Sequence, residues 1–293
     1  MKNRNLQEIQ TYQFKEGLSL QIEIVNLSNL YQQHREMITK PHRTGFYHII
    51  WFEKDSVKHV VDFKNIDMTS NSLLFLNKDT VHIYDINSDT VGRAILFTEE
   101  FFCRNVEDAK YLKTTILFHN LLSVVNLSLD ESSIKITRYF ELLDAEIKSA
   151  SGNFHELILQ NLLHNLLLSA EQILKNQGFK EPEKGADLDY MVAFKELLEQ
   201  NYKKQKRVTY YAKSIGLTEK RLNLATARIL GKQPKHLIDE RVMLEAKRLL
   251  AHSTDSVKEI GFQLGFNEPT NFIKFFRKHN TATPAEFREL YLK

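Results

Sequence analysis

Cysteine is nearly absent. Cys103 stands alone among 293 residues, so no disulfide can form within the chain, and a reducing cytoplasm is the expected compartment. Long apolar runs are missing too. The richest stretch, Leu157 to Leu168, is broken by Gln160, Asn161, His164 and Asn165, and falls short of the roughly 20 apolar residues that span a bilayer. The opening MKNRNLQEIQ holds no apolar signal core. A membrane protein and a disulfide-stapled secreted domain are therefore not expected.

The length is about twice that of a common domain, which predicts two cores. A net charge of +3 conceals an uneven distribution. From Leu188 to Lys293 there are 20 Lys and Arg against 12 Asp and Glu, a balance of +8; the rest of the chain holds 20 against 25, a balance of −5. A basic back half behind an acidic front half fits a chain of which only the back meets a polyanion.

What the back half contains is one pattern written twice. The first copy is Val208-Thr-Tyr-Tyr-Ala212-Lys-Ser-Ile215-Gly216-Leu217-Thr218, and the second is Val257-Lys-Glu-Ile-Gly261-Phe-Gln-Leu264-Gly265-Phe266-Asn267. The offset between them is about 49 residues at the start and becomes about 50 farther on, where Leu222 meets Phe272 and Pro234 meets Pro284. Each copy has apolar residues at helical spacing, a Gly able to take a left-handed turn, and a Thr or Asn suited to cap the next helix. These are the parts of a helix-turn-helix, and two copies predict two recognition helices. Leu188 to Asn201 reads as a helix ahead of them, and His236 to His252 as a long helix between them, with Leu237, Ile238, Val242, Leu244, Leu249 and Leu250 in its core. A rigid pair of this kind can reach successive major grooves, about 34 Å apart.

The front half reads differently. Leu18 to Val25, Gly45 to Phe52, Val57 to Phe63, Ser72 to Leu76, Val81 to Ile86 and Val91 to Phe97 are short runs of β-branched and aromatic residues with no helix predicted between them. They favour an antiparallel barrel or sandwich. From Thr98 the period becomes helical, over Ile134 to Ile147 and Phe154 to Leu174. A polar stretch from Asn176 to Asp187, with two Gly and a Pro, reads as a linker.

Over 200 to 290, Gly231-Lys-Gln-Pro234, Arg241-Val-Met-Leu244-Glu-Ala246-Lys247-Arg248-Leu249-Leu250, Ile260-Gly-Phe-Gln-Leu264-Gly265-Phe266, Asn271-Phe272, and Phe275-Phe276-Arg277-Lys278 through Thr283-Pro284-Ala285-Glu286-Phe287-Arg288 follow one another in order. In these residues the chain resembles the AraC/XylS family of bacterial transcription regulators. Pro41-His42-Arg43, Phe46-Tyr47, Leu76 to His82 and Phe97 to Phe102 are similar to the cupin-like sensor domain that many members carry in front. Four positions depart from the pattern. Leu224 and Thr226 replace a frequent basic and a frequent aromatic residue in the first recognition helix, Gly261 replaces a common Ala, and Thr281 a common Gly. The first helix is therefore expected to read fewer bases, or a different site.

Bases are read near the start of a recognition helix, while cations hold phosphates. With Thr218 as cap, Glu219, Lys220, Arg221 and Asn223 project from the first such helix; Arg221 suits guanine and Asn223 adenine. In the second, Asn267 is the expected cap and Pro269 sits where a missing N–H costs little; Glu268, Thr270, Asn271 and Lys274 come after the cap, and Thr270, Asn271 and Lys274 face outward if Phe272, Phe275 and Phe276 face inward. Thr270, Asn271 and Lys274 are the strongest candidates for reading. Arg277 and Lys278 are expected on phosphates. Lys203, Lys204, Lys206 and Arg207 form a basic cluster suited to steering. Each of these cations has a plain alternative as a solvated surface charge.

For the front domain the resemblance implies a pocket for a small effector, and His42, Arg43, Tyr47, His82 and Tyr84 are its candidate polar handles, against the alternative that such aromatics are core. Enzymatic cupins pair histidines two apart, whereas His42 is followed by Thr44. His42, His48 and His82 are weighed as metal ligands, and no metal, cofactor or catalytic residue is expected. The apolar excess of Phe154 to Leu174, with Leu157, Ile158, Leu162, Leu163, Leu166 and Leu167 close together, suits either a second protomer or packing on the barrel.

The resulting expectation is a multidomain chain. An N-terminal all-β cupin-like barrel occupies 1–103, a helical connector that is also a dimerisation candidate 104–175, a linker 176–187, and an all-α double helix-turn-helix domain 188–293. Expected partners are double-stranded DNA, a small effector, a second copy, and RNA polymerase if the protein activates, with no membrane. Two other readings stay open: a cupin enzyme with a DNA-binding tail, favoured by a bound metal, and a regulator whose front domain only dimerises or binds a protein, favoured by a filled barrel.

Overall fold

Why the run Tyr47-His-Ile-Ile-Trp-Phe52 is apolar on both of its faces becomes clear in the architecture of the front half: all six residues are buried, because this strand lies between two layers. The computed structural model describes residues 9–15, 17, 20–54, 56–85, 90–118, 124–130, 133–149, 152–179 and 185–291. They form two units, one spanning Gln10–Glu181 and one built around Pro182–Lys293.

The front unit contains β1 (Gln10–Tyr12), β2 (Ile22–Asn26), α1 (Leu27–Ile38), β3 (His42–Thr44), β4 (Tyr47–Phe52), β5 (Val57–Val61), β6 (Lys64–Met68), β7 (Ser72–Leu76), β8 (His82–Ile83) and β9 (Gly92–Phe97). After them come α2 (Glu99–Phe102), α3 (Val106–Thr114), β10 (Val125–Ser128), α4 (Ile134–Lys148) and α5 (His155–Asn176). One sheet has the order β1-β3-β8-β5-β6 and the other β10-β7-β4-β9-β2. Ile50, Phe52, Leu74 and Leu76 face Val57, Val61, Met68 and Tyr84 in the core between the sheets. On the opposite face, Tyr47, Ile49, Trp51 and Phe75 pack against Phe140, Leu143, Leu159, Leu163 and Leu166 of α4 and α5. Each such leucine contributes about 1.5 to 3 kcal/mol of burial.

Several expectations need correcting. Helix α1 interrupts the predicted strands, and it buries Leu27, Tyr31 and Ile38 at helical spacing behind the polar residues Gln32 to Glu36. Its start is fixed by Asn26, whose side chain accepts the Asn29 N–H at 3.1 Å. Segment 104–175 is not a body apart from the sheets. Strand β10 pairs with β7, and α4 and α5 share their core. Val125 and Leu127 are buried while Asn126 and Ser128 are exposed, a period of two that was there to be read. The start of the first expected strand (18–19), the end of the fifth (86) and the centre of the expected linker (180–184) lie outside the described residues.

The back unit is helical throughout its described part: α6 (Ala186–Asn201), α7 (Val208–Ser214), α8 (Glu219–Leu230), α9 (Pro234–His252), α10 (Val257–Gln263), α11 (Pro269–His279) and α12 (Pro284–Tyr291). Residues 186 and 187, assigned above to the linker, open α6. The turns between α7 and α8 and between α10 and α11 each use a glycine at positive φ, +70° at Gly216 and +76° at Gly265. At Gly216 a methyl group would meet open space, but at Gly265 it would lie 1.9 Å from the carbonyl oxygen of Lys203. The second turn therefore accepts no side chain at all. Ser256 and Glu259 close a reciprocal capping box at the start of α10, with bonds of 2.6 and 3.2 Å, and Thr283 and Glu286 make the same pair of bonds at the start of α12, at 2.7 and 3.2 Å.

Long helix α9 buries Leu237, Ile238, Val242, Met243, Ala246 and Leu250, while the expected core residues Leu244 and Leu249 are half-buried. It also carries charge inside. Glu245 and Arg248 are each 4% exposed; Glu245 accepts from Arg241 at 3.2 Å and Arg248 at 3.5 Å. Arg241 also donates to Glu199 of α6 at 2.8 Å and lies 3.9 Å over the ring of Tyr202.

Candidate nucleic-acid interface and front-unit histidine cluster

Helices α8 and α11 present matched faces. In α8 the core takes Leu222, Ala225 and Thr226; in α11 it takes Phe272 and Phe276, with Phe275 half-buried. The opposite stripe, at intervals of four and three, is Lys220, Leu224 and Ala227 in α8, and Thr270, Lys274 and Arg277 in α11, all exposed. The two stripes are in one register, 50 residues apart, so Leu224 stands where Lys274 stands in the second copy. Asn271, Glu268 and Lys278 are exposed beside the second stripe.

Two details change the residue assignments. Thr218 caps α8 as expected, accepting the Arg221 N–H at 3.2 Å. Asn267 does not cap α11. Glu268 holds that position without a side-chain cap bond, at φ −129° and ψ 133°, because Pro269 opens the helix and forces the residue before it into extended backbone. Arg221 is not free to project. It is ion-paired with Asp187 and stacked 4.9 Å from the ring centre of Tyr190, and Arg228 reaches the same carboxylate at 3.2 Å. These two cations hold the Asp187 carboxyl below its ordinary range, its side-chain bond with Arg221 foremost. Asn223 is half-buried beside them. Of the basic cluster, Lys203, Lys204 and Arg207 are exposed, but Lys206 donates to the Lys203 carbonyl at 2.9 Å and the Leu264 carbonyl at 2.5 Å. Lys206 is thus a brace under the second turn.

In the front unit the structure brings together His42, His48 and His82 and adds His59, which the sequence reading missed although Val57, His59 and Val61 share one face of β5. All four are at most 4% exposed. His82 Nδ1 and His59 Nε2 are 3.1 Å apart, and the ring centre of His82 lies 4.2 Å from that of His42 and 5.1 Å from that of His48. His42 Nδ1 donates to the Lys40 carbonyl at 2.9 Å. Nδ1 of His48 and Nε2 of His82 are buried without a hydrogen-bond partner. Burial, and then the neighbouring imidazoles, push His48 and His59 down to about 3, and His42 and His82 also fall, so the cluster is neutral at pH 7. Among the described residues no group of three His, Cys, Asp or Glu side chains is placed to hold a metal ion.

The expected handles divide. His42, His82 and Tyr84 touch one another, with His42 and Tyr84 stacked 6.3 Å apart. Tyr47 points to the other face of its sheet, against Phe97 at 5.3 Å and Phe118 at 4.9 Å; on a strand buried on both sides, apolar pattern alone does not say which way a residue faces. Arg43 is half-buried, between His42 and Thr44, with its Nε buried and unbonded. Two surface hollows lie away from the cluster. One of about 320 Å³ is lined by Asn71, Leu129, Asp130, Ser133, Ile134 and Thr137. One of about 380 Å³ is lined by Gln13, Phe14, Gln21, Gly45, Thr98 and Glu100.

A β unit with two facing sheets, joined in one chain to a helical unit with two helix-turn-helix motifs, defines a DNA-binding regulator. Residues 211–290 match the helix-turn-helix domain family, and 26–167 match the AraC-like ligand binding domain family. The chain belongs to the AraC family of transcription regulators. It is 27% identical to the lactose operon transcription activator of Staphylococcus xylosus over 139 residues, which is 47% of this chain and about half, 49%, of that relative. It is 20% identical to the transcriptional activator RhaS of Escherichia coli over 258 residues, 85% of this chain and 87% of that one. Among solved structures it is similar to ToxT of Vibrio cholerae, at 15% identity and a TM-score of 0.44, over 84% of this chain and 90% of that one. The first two of these relatives are activators of transcription. No described helix is long and apolar enough to cross a membrane.

Proposed function

We propose that the protein is a cytoplasmic regulator that binds double-stranded DNA sequence-specifically, with α11 as its principal reading helix. The observation that carries this is the exposed stripe of Thr270, Lys274 and Arg277, with Asn271 beside it, opposite a face closed by Phe272 and Phe276. Lys274 and Asn271 suit guanine and adenine edges, and Lys278, Lys203, Lys204 and Arg207 suit phosphates. The test is site selection from random DNA, followed by binding of variants. Lys274→Ala or Asn271→Ala is expected to cost about 1 to 3 kcal/mol at the selected site. Lys278→Ala should weaken all DNA alike and lower the salt slope by about 1. Equal losses for Lys274→Ala on selected and random DNA would sink the assignment.

The front unit, on this proposal, responds to a small molecule and joins two protomers, and an activating protein would also contact RNA polymerase. The match to a ligand-binding family supports the first part. A ligand reaching His42, His82 and Tyr84 has to part rings that now touch. That packing favours a second reading, in which the front unit works mainly by assembly. Helix α5 supports assembly: Leu157, Ile158 and Leu168 are 44%, 41% and 53% exposed, while Leu159, Leu163, Leu166 and Leu167 are fully buried on its other side. Sedimentation is expected to give a dimer at micromolar concentration, and Leu157→Lys with Leu168→Lys to give a monomer. A monomeric parent protein would refute assembly through this face and leave effector binding as the front unit's task.

A further inference from the structure

We infer that Leu224 reads the 5-methyl group of a thymine, so that the two recognition helices read DNA by different chemistry. The inference rests on α8 being a reading helix. Leu224 is 57% exposed, on the face of α8 opposite Leu222 and Ala225, both fully buried. It therefore contributes nothing to closing the core. In the tandem repeat it occupies the register of Lys274, the central residue of the α11 stripe, with Lys220 one turn before it and Ala227 one turn after.

The rest of the α8 face says what kind of contact remains. Arg221, the side chain best suited to a guanine edge, is held by Asp187 and Tyr190, and Arg228 by the same Asp187. What is left facing outward is one cation, Lys220, the apolar pair Leu224 and Ala227, and Glu219, whose carboxylate accepts from Thr209. In the major groove the apolar group offered by a base pair is the thymine methyl, which distinguishes it from all three other bases. Lys220, with its charge at the helix start, fits the adjoining phosphate and leaves the apolar pair Leu224 and Ala227 for the base edges. DNA is the occupant this combination fits.

The test uses the full-length protein and its selected site, with each thymine in turn replaced by uracil, which removes the methyl and leaves the pairing edge intact. One thymine in the half bound by α8 is expected to be sensitive, its uracil form binding about fourfold more weakly, the worth of one buried methyl group. Leu224→Ala should bind the thymine and uracil forms alike at that position. Leu224→Lys, which installs the residue found at 274, should lose the uracil sensitivity and gain preference for guanine there. Because Leu224 is exposed, neither change threatens folding. If no thymine separates the parent protein from Leu224→Ala while hydroxyl-radical footprinting shows both halves of the site protected, the inference is overturned and α8 still stands as a DNA-contacting helix. If the footprint shows the α11 half alone, the reading role of α8 falls and the inference with it.

Discussion

Acidification from pH 7.5 to pH 5 is expected to cost the front unit about 4 kcal/mol of stability, from His48 and His59 alone. Both are buried and held at about 3, whereas an unfolded chain titrates its histidines near 6.5. Above that value the imidazoles are neutral in both states and contribute no pH dependence. Below it the unfolded chain takes up protons that the folded unit refuses, so stability falls from about pH 6.5 down to about pH 3, where the folded cluster itself protonates. At pH 5 each group is about 1.5 units into that window, or about 2 kcal/mol. Among the described residues the four rings meet one another, Tyr12, Phe46, Phe52 and Tyr84, and no carboxylate bonds to them. Trp51 is the chain's one tryptophan and sits in this unit, so its fluorescence in urea reports the transition selectively. Equal midpoints at the two pH values would mean that the cluster opens to water. His48→Gln with His59→Gln should flatten the dependence.

Removing the Glu245 carboxylate is expected to destabilise the back unit by about 3 to 5 kcal/mol, the usual cost of breaking a buried ion pair by deleting one partner. Glu245 and Arg248 are buried on one face of α9, and Arg241 carries the same network to Glu199 on α6. Glu245→Ala takes away the carboxylate that Arg241 and Arg248 share and leaves a cavity in its place. Glu245→Gln keeps the shape and loses the charge, and should recover part of the loss. Circular dichroism at 222 nm follows helix melting in both variants. A loss of less than about 1 kcal/mol for Glu245→Ala would show that water reaches the network, as in surface ion pairs.

The helix-turn-helix pair was legible because its signals are local: Gly216 and Gly265 both lie at positive φ, and both stand one turn before a recognition helix. The wrong cap had an equally local cause, since Pro269 sets the backbone of Glu268 and displaces Asn267 outward. In the front half the decisive facts are not local. The two-residue strand His82–Ile83 takes its place from His42 and Val61, distant in sequence. Tyr47 and His48 are neighbours that serve opposite faces of one strand, and each face is buried, so hydropathy gives no direction. The pairing of Arg221 with Asp187 joins residues far apart in the chain, and no spacing rule announces it.

On the roles proposed above for Leu224 and Lys274, the unlike stripes on α8 and α11 would give a bound molecule a head and a tail. A site that satisfies Lys274 in one half and Leu224 in the other does not satisfy them when the molecule is turned end for end, so an unsymmetrical operator fixes the heading of the protein along a promoter. Where such sites occur in pairs, direct and inverted repeats become different instructions, since they set different surfaces of two protomers side by side. Orientation on DNA would then rest on two side chains, Leu224 and Lys274, that hold the same place in a duplicated motif.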